Sequence, residues 1–175
     1  MEEIIYRQLD AGDYEDYKKI RLDCLHQHPD NFGTTYEEEL NAESLKLEPA
    51  IKKPDHANFV FGAFNSSQYL IGICGFMTET RLKTQHRGEI VQMYVAPTHN
   101  GKGIGKALLK LCIEKAFSGN QIEQIILSAV SSNENAVSLY KKLGFIEYGK
   151  LDNYFKSGST FTTQSFFYLM KPGSS

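Results

Sequence analysis

The sequence predicts a mixed α/β fold, in which helices pack on a sheet of about six or seven strands. Short runs rich in β-branched and aromatic residues alternate with stretches of helical periodicity, in the order βααββ followed by βαβαββ. The length of 175 residues suits one domain, and a chain of that size buries roughly 70% of its unfolded surface. We therefore expect a single domain over residues 1–175 with a substantial core.

The N-terminal segment is expected to form one strand and one long helix. Alternation over residues 4–9 predicts the strand, and Asp13 is expected to cap the helix that follows. Pro29 is expected to end this helix, because proline has no amide hydrogen to donate. The predicted apolar face consists of Tyr14, Tyr17, Ile20, Leu22 and Leu25.

A second helix is predicted after Thr34 and Thr35. Each threonine precedes a glutamate by three residues, which is the spacing of a capping box at a helix start. We expect the helix to run through residues 40–47 and to be broken by Pro49 and Pro54.

The middle of the chain predicts three strands. The β-rich runs 59–64 and 69–76 are separated by four polar residues, a pattern typical of an antiparallel hairpin. The polar stretch 79–88 is expected to be a loop, and 89–95 is expected to be the next strand.

The C-terminal half alternates between helices and strands. After a glycine turn, a helix is expected with Ile104, Ala107, Leu108, Leu111 and Cys112 on one face. The later elements are a strand over 122–130, a helix over 133–143, and closing strands near 145–151 and 163–169.

Charge and hydropathy exclude two classes of partner. The formal net charge is −2, from 19 basic and 21 acidic residues, so no nucleic-acid partner is expected. No apolar run reaches the roughly 18 residues of a membrane span, and the N-terminus lacks the apolar core of a signal peptide. We therefore expect a cytoplasmic protein with no membrane partner.

The cysteines and histidines predict no metal site. Cys24, Cys74 and Cys112 are odd in number, widely spaced and set in apolar surroundings, which favours reduced and mostly buried thiols over disulfides or zinc. The five histidines show no spacing typical of metal ligands, so no metal is expected.

The segment NGKGIGKALL, residues 100–109, predicts an anion site. It follows the apolar run 90–95 and opens a helix, with glycines at every second position. First-turn amides have no intrahelical partner, the helix dipole adds positive charge, and glycines let a pyrophosphate approach the main chain. Lys102 and Lys106 add full positive charges.

Two well-known phosphate loops do not fit this spacing. A Walker loop would need glycine and a hydroxyl residue where Asn100 and Ala107 stand. The dinucleotide fingerprint would need a third glycine where Lys106 stands. Taken alone, the segment could also be an ordinary strand-to-helix turn.

A second block, SNENAVSLYKKLGF over residues 132–145, helps to interpret the glycine loop. Together the two blocks resemble the GCN5-related N-acetyltransferase (GNAT) superfamily, whose loop reads Q/R-x-x-G-x-G/A and whose later helix reads N-x-x-A-x-x-L-Y, followed shortly by GF. Asn100 departs from the family's Gln or Arg. The matching residues are Gly103, Gly105, Asn133, Ala136, Leu139, Tyr140, Gly144 and Phe145.

The resemblance implies a GNAT-type fold and an activity. The fold is a central, mixed, mostly antiparallel sheet that is splayed at its middle, with helices on both faces and acetyl-CoA in the splay. The activity is transfer of the acetyl group to a primary amine by direct attack, without a covalent enzyme intermediate. Whether the chain forms a homodimer stays open.

The resemblance also implies a set of cofactor-binding residues. The cofactor's amide arm would pair with the strand before the glycine turn, where a main-chain N–H at a bulge meets the thioester oxygen. Asn133 has an equally good role as a helix cap, and Lys142 could instead be a solvated helix lysine. The implied residues are Met93, Tyr94, Val95, Asn100, Gly101, Lys102, Gly103, Ile104, Gly105, Lys106, Asn133, Ala136, Tyr140 and Lys142.

Two catalytic residues are expected from the same resemblance. Tyr140 is the candidate acid, since the family's tyrosine at this helix position lies near the thiol sulfur; the alternative is a core tyrosine. Glu89 is the candidate base, eleven residues before Asn100 as in histone-acetylating relatives. Alternatively, Glu89 is only a solvated residue at the start of a strand, and a water chain removes the proton from the amine.

The acceptor site is expected between the first two helices. The run YEEE over residues 36–39 could recruit a cationic amine, or could be a solvated helical face. Tyr154, Phe155 and Phe161 could wall the other side. The candidate substrate residues are Phe32, Tyr36, Glu37 and Tyr154.

Three functions therefore stay open. The expected acceptor is a small amine, polyamine-like or amino-acid-like. The alternative within enzymes is a protein N-terminus or lysine, and the alternative outside enzymes is a CoA-sensing or interaction module that has lost turnover. Tyr140 and Glu89 favour an enzyme.

Overall fold

Seven strands and five α-helices make up the part of the chain that the computed structural model describes, residues 3–173. The strands are β1 Ile5–Gln8, β2 Asn58–Phe64, β3 Leu70–Thr78, β4 Arg87–Val95, β5 Gln124–Val130, β6 Ile146–Ser157 and β7 Thr160–Met170. The helices are α1 Tyr14–Gln27, α2 Tyr36–Leu40, α3 Glu48–Lys52, α4 Ile104–Ser118 and α5 Glu134–Lys142.

All seven strands belong to one sheet, in the order β1-β2-β3-β4-β5-β7-β6. Each neighbouring pair is antiparallel except β4 and β5. Parallel neighbours need a crossover connection, and here α4 makes it. The predicted mixed, mostly antiparallel sheet is confirmed.

The sheet opens between its two parallel strands. Residues Arg87 to Glu89 of β4 pair with Gln124 to Ile126 of β5, over three positions only. Beyond Glu89, β4 remains paired with β3 and β5 remains paired with β7. The two halves of the sheet therefore separate from this point, and the predicted splay is confirmed.

Helices cover both faces of the sheet, as predicted. On β4, Ile90 packs into the core under α4 and α5, whereas Val91 packs into the core under α1 and α3. We call these two sides the α4 face and the α1 face. The α4-face core includes Phe59, Phe76, Leu108, Tyr140 and Phe167. The α1-face core includes Tyr17, Ile20, Leu47, Ile51 and Ile73.

The predicted role of Asp13 as the side-chain cap of α1 is wrong. Asp13 makes no capping hydrogen bond to that helix. Instead Asp10 and Asp13 form a capping box around a short 3₁₀ turn that leads into α1. Both carboxylate oxygens of Asp13 also accept hydrogen bonds of 2.7 Å from Arg7. The carboxylate therefore ties β1 to the start of the helix.

The predicted second helix is shorter than expected. The Thr35–Glu38 capping box is present, but the helix it starts ends at Leu40. Pro49 does not break a helix, since it lies in the first turn of α3. Proline suits that position because its missing amide hydrogen would have no partner there and its φ is already helical.

The three cysteines are free and buried, as predicted. No helix formed by residues 3–173 is both long and apolar enough to cross a membrane. Within the same range, no group of three or more histidine, cysteine or carboxylate side chains is placed to bind a metal ion.

Candidate functional site

A cavity of about 550 Å³ lies where β4 and β5 separate. Residues 89–93 of β4 and 128–130 of β5 form its sides, and α5 contributes Tyr140. On the α1 side its walls include Arg21, Phe32, Glu39, Tyr154 and Phe155. Residues from both faces of the sheet line the cavity, so it reaches through the splay.

The glycine turn before α4 is open and shaped by left-handed backbone. Gly101 and Gly103 have φ values of +77° and +78°, and a Cβ on either would meet nothing within 4 Å. Helix α4 starts at Ile104 without a side-chain cap. Because first-turn amides lack intrahelical partners, this exposed helix start suits a phosphate group.

At Gly105, the first turn of α4 packs closely against β4 where the sheet is splayed. A Cβ on Gly105 would lie 3.0 Å from Met93 Cε and 4.0 Å from Leu139 Cδ2. The first turn of α4 therefore packs directly against β4 and next to α5. Lys102 and Lys106 are exposed at the same turn, as is Asn100 before it.

Strand β4 carries a bulge at the cavity. Tyr94 pairs with Ile73 and Val91 pairs with Gly75, so that Gln92 and Met93 together oppose one residue of β3. Gln92 has φ +53°, in the left-handed region. A bulge leaves its extra residue out of the ladder and turns the strand. The bulge thus lies at the start of the predicted segment Met93–Val95.

Tyr140 lies on the cavity wall at the α4 face. It is 6% exposed, and its ring packs on Phe145 and Phe167 at centroid distances of 6.0 and 5.7 Å. Burial raises the pKa of its hydroxyl above the ordinary tyrosine value. Tyr140 lines the cavity, so its hydroxyl can donate a hydrogen bond to a ligand there.

Glu89 lies on the opposite face from Tyr140. It is the last residue of β4 that pairs with β5, and it lines the cavity. Successive residues of a strand point to opposite faces, so Glu89 shares the α1 face with Val91. The carboxylate and the phenol therefore stand on the two sides of the splay.

Asn133 and Lys142 have different positions on α5. The Asn133 side chain accepts a 3.2 Å hydrogen bond from the Ala136 amide, which is the predicted cap, and both residues line the cavity. Lys142 is exposed and lines a separate groove with Ser131 and Glu134. The structure therefore does not bring Lys142 into the cavity.

The predicted acceptor residues are placed in two groups. Phe32 and Tyr154 line the cavity. Tyr36 does not, since its ring packs edge-on against His26 at 5.8 Å. Glu37 is exposed on α2 and also lies outside the cavity lining. The rotation of α2 directs Glu38 and Glu39 towards the cavity instead.

A buried ion pair on the α1 side was not predicted. Arg21 has a side chain that is 3% exposed, and its Nη2 lies 2.7 Å from Oε1 of Glu39. Its Nε donates to both carboxylate oxygens at 3.0 Å. The guanidinium also stands 4.9 Å from the centroid of Phe32. A charged residue on the apolar face of α1 was the one sequence signal for this pair.

The segment that follows α1 meets strand β6 at the cavity wall. A Cβ on Gly33 would lie 3.0 Å from Cε1 of Phe155, so the ring covers the segment that follows α1. Phe155 in turn packs edge-on against Tyr154 at 4.7 Å. Gly33, Tyr154 and Phe155 all line the cavity, so this contact closes part of its wall on the α1 side. Phe161, which the sequence also suggests for this wall, is 49% exposed and outside the cavity lining.

Comparison with known families gives a match over most of the chain. The profile described as "Acetyltransferase (GNAT) family" matches residues 17–145. This range includes the glycine turn, the bulge and helix α5.

Curated relatives include spermidine acetyltransferases and N-alpha-acetyltransferases. The spermidine N(1)-acetyltransferase of Vibrio cholerae is 30% identical over 105 residues, which are 59% of this chain and 59% of that protein. The N-alpha-acetyltransferase 30 of Dictyostelium discoideum is 33% identical over 90 residues, 51% of this chain and 48% of that protein. The matches thus span about half to three fifths of these relatives' length.

Solved structures share the fold over nearly the whole chain. A GNAT-family acetyltransferase from Streptococcus pneumoniae has a TM-score of 0.81 at 20% identity, covering 97% of this chain and 100% of that one. A Salmonella typhimurium protein solved with its cofactor acetyl-CoA has a TM-score of 0.76 at 18% identity, covering 96% and 94%.

Proposed function

The chain belongs to the GNAT family of acetyltransferases, and from this premise we propose that it transfers the acetyl group of acetyl-CoA to a primary amine. The proposed acceptor is a small molecule, polyamine-like or amino-acid-like. One observation carries the proposal: Tyr140 and Glu89 line the same cavity from opposite faces of the splayed sheet. That arrangement suits a reaction between two substrates that enter from the two sides.

The glycine turn and the start of α4 fit the phosphates of acetyl-CoA. Gly101 and Gly103 leave space over the main chain, and the uncapped first turn offers amide hydrogens. Lys102 and Lys106 add positive charge at this turn. Acetyl-CoA supplies the acetyl group as a thioester, so the reaction forms an N–C bond, breaks a C–S bond and releases one proton from the amine.

Glu89 is the proposed base. An aliphatic amine titrates near pH 10, so at neutral pH it must lose a proton before its nitrogen can attack. Glu89 lies at the point where β4 leaves β5, on the side that the acceptor would enter. Its carboxylate can take the proton directly or through a water molecule.

Tyr140 is the proposed hydrogen-bond donor to the leaving thiolate. Because burial raises its pKa, Tyr140 Oη keeps its proton at neutral pH. A model thiol titrates near 8.5, well below a phenol, so complete proton transfer to the thiolate would be uphill. A hydrogen bond to the developing charge is therefore the main contribution that we assign to Tyr140.

Two features support a small cationic acceptor. Glu38 and Glu89 line the cavity together with one lysine, Lys46, while the carboxylate of Glu39 is already paired with Arg21. The unpaired charges are therefore more negative than positive, which favours a cation. The contact of Phe155 with Gly33 closes part of the cavity wall, which favours a small molecule over a peptide.

The proposed function is tested by measuring free CoA and acetylated product after mixing the protein with acetyl-CoA and single amines. Spermidine, lysine and an oligopeptide with a free N-terminus are the panel. We expect acetylated product from at least one of the two small amines. A thermal shift with acetyl-CoA but no product from any amine would contradict catalysis and favour the CoA-sensing alternative.

A peptide N-terminus is the second candidate acceptor, favoured by the relatives named N-alpha-acetyltransferases. Phe155→Ala separates the two candidates, because it removes the ring that covers Gly33. If small amines are the natural acceptors, this variant should raise the kcat/KM for the oligopeptide relative to that for spermidine. Phe161→Ala on the same hairpin, outside the cavity lining, is the matched control.

We assign this activity to one domain over residues 1–175. Both cores share one sheet, which supports that assignment. A homodimer and a cytoplasmic location stay predictions.

A further inference from the structure

Ser128 and Gln164 form a polar pair in the cavity, and the proposed function gives neither residue a role. Nε2 of Gln164 donates a 2.9 Å hydrogen bond to Oγ of Ser128, and both residues line the cavity. Gln164 is 5% exposed, and its Oε1 is buried. Within residues 3–173, this oxygen has no hydrogen-bond partner.

The register of β5 and β7 shows which way the pair points. Ser128 pairs with Phe166 and Val130 pairs with Gln164. Their neighbours Leu127 and Phe167 are buried in the α4-face core. Because successive residues of a strand alternate in direction, Ser128 and Gln164 point to the α1 face.

Glu89 points to this same face. It pairs with Ile126, which precedes Ser128 by two residues on β5 and so has the same direction. The base and the polar pair therefore stand across the opening of the splay from each other, on the side where the acceptor would enter.

An unpaired carbonyl oxygen inside a cavity requires an explanation. Buried polar atoms are nearly always paired, because leaving one without a partner costs folding free energy. Ser128 fixes the amide by accepting from its NH₂ group, so that the oxygen stays directed away from the serine. The remaining hydrogen bond is available to a donor that enters the cavity.

We propose that Gln164 binds the amine of the acceptor, with Oε1 accepting a hydrogen bond from the amine N–H and Ser128 holding the amide in position. This inference rests on the proposed function. Gln164 is thus a substrate-binding residue, whereas Ser128 is a positioning residue that acts through it.

A neutral amide has a specific advantage at this position. A carboxylate beside the amine would favour the protonated ammonium and raise its pKa, so the lone pair would be less available. An amide oxygen orients the same N–H without adding a negative charge. Glu89 is then free to remove the proton.

Other charged and titratable groups face the amine from the surrounding elements. They are Arg21 of α1, Glu38 and Glu39 of α2, Lys46 of the following loop, Glu89 of β4, Tyr140 of α5 and Tyr154 of β6. These groups are the same in all variants of Gln164, so a change in the pH profile between variants reports on position 164.

Gln164→Met tests the binding role, since it keeps a side chain of similar length and removes the acceptor oxygen. We expect kcat/KM for the amine to fall about 3- to 10-fold, mainly through KM, with unchanged affinity for acetyl-CoA. The fall should be similar for spermidine and for the oligopeptide, because the subsite contacts the amine and not the rest of the acceptor.

Gln124→Met is the matched control. Gln124 lies on β5, on the same face as Ser128, but outside the cavity lining. This variant should leave both kinetic constants unchanged. If wild-type protein acetylates an amine and Gln164→Met has the same KM as wild type, the subsite is contradicted while the proposed function stands.

Gln164→Glu gives a second, independent test in case the methionine variant folds poorly. The carboxylate should raise the pKa of the bound amine, and therefore shift the acidic limb of the kcat profile, measured with both substrates saturating, to higher pH by about one unit. A profile with the wild-type limb would overturn the subsite. Wild-type protein that acetylates none of spermidine, lysine and the oligopeptide would overturn the proposed function and this inference together.

Discussion

The hydroxyl of Tyr17 donates a 2.8 Å hydrogen bond to the side-chain oxygen of Gln92, and this bond joins helix α1 to the bulge of strand β4. Tyr17 is fully buried, and Gln92 holds a left-handed φ of +53°. A non-glycine residue in that region is strained by about 1–3 kcal/mol, so the surrounding structure must hold it there. The tyrosine is one of the groups that do so.

Tyr17→Phe is expected to lower the free energy of unfolding by about 1–2 kcal/mol, because it leaves the Gln92 amide oxygen without its donor. Denaturant unfolding measures this loss. Tyr148→Phe, in which the side chain is 60% exposed, should stay within about 0.5 kcal/mol of wild type. Equal stability of the two variants would show that the bond does not hold the bulge.

Gly103→Val should abolish binding of acetyl-CoA while the fold persists. A β-branched residue strongly disfavours φ +78°, and its side chain would occupy the open space over the turn. Titration with acetyl-CoA measures the effect. Gly119→Val, at the other end of α4 and with φ −85°, is the control, since its Cβ also meets nothing within 4 Å. Unchanged affinity of the Gly103 variant would place the phosphates elsewhere.

The lowered pKa of the Asp13 carboxyl predicts that the stability of the fold depends on pH. The hydrogen bonds from Arg7 are the main cause that lowers the pKa of this carboxyl below its ordinary value. Its stabilising contribution is therefore present above about pH 4 and is lost as the pH falls through the lowered folded-state pKa. Asp13→Asn should flatten this part of the stability curve. Asp23→Asn, at an exposed position of α1, should not.

The parts of the site that depend on short spacing could be predicted from the sequence. Asn133 caps α5 as expected, because a cap needs only a polar side chain three residues before the amide that it accepts from. The glycine turn is predictable for a similar reason, since left-handed backbone at Gly101 and Gly103 favours the one residue without a Cβ.

Features that depend on distant contacts could not be predicted. The Thr35 capping box fixes where α2 starts but not how the helix is rotated. The sequence therefore indicates Tyr36 and Glu37, whereas Glu38 and Glu39 line the cavity. Arg21 falls on the apolar face of α1, yet no local signal names its partner 18 residues away. The packing of α1 against α2 decides this contact, and the pairing of β3 with β4 decides the bulge at Gln92.

Glu89→Gln should lower turnover most at neutral pH and least at high pH. The amine is mostly protonated at neutral pH and needs a base, whereas near pH 10 a large fraction is already neutral. The measurement is kcat against pH with spermidine at saturating acetyl-CoA. A defect of equal size at every pH would indicate that Glu89 positions the substrate or a water network instead of removing the proton.

Turnover of Tyr140→Phe tests the central claim most directly, because the variant removes only the hydroxyl that faces the cavity from the α4 side. We predict that kcat for acetyl transfer falls by roughly 10² to 10⁴, while the affinity for acetyl-CoA is kept. Tyr154→Phe, which alters a hydroxyl at the acceptor end of the same cavity, should cost far less. Full turnover of Tyr140→Phe under conditions in which chemistry limits the rate would contradict the account and leave Tyr140 as a packing residue.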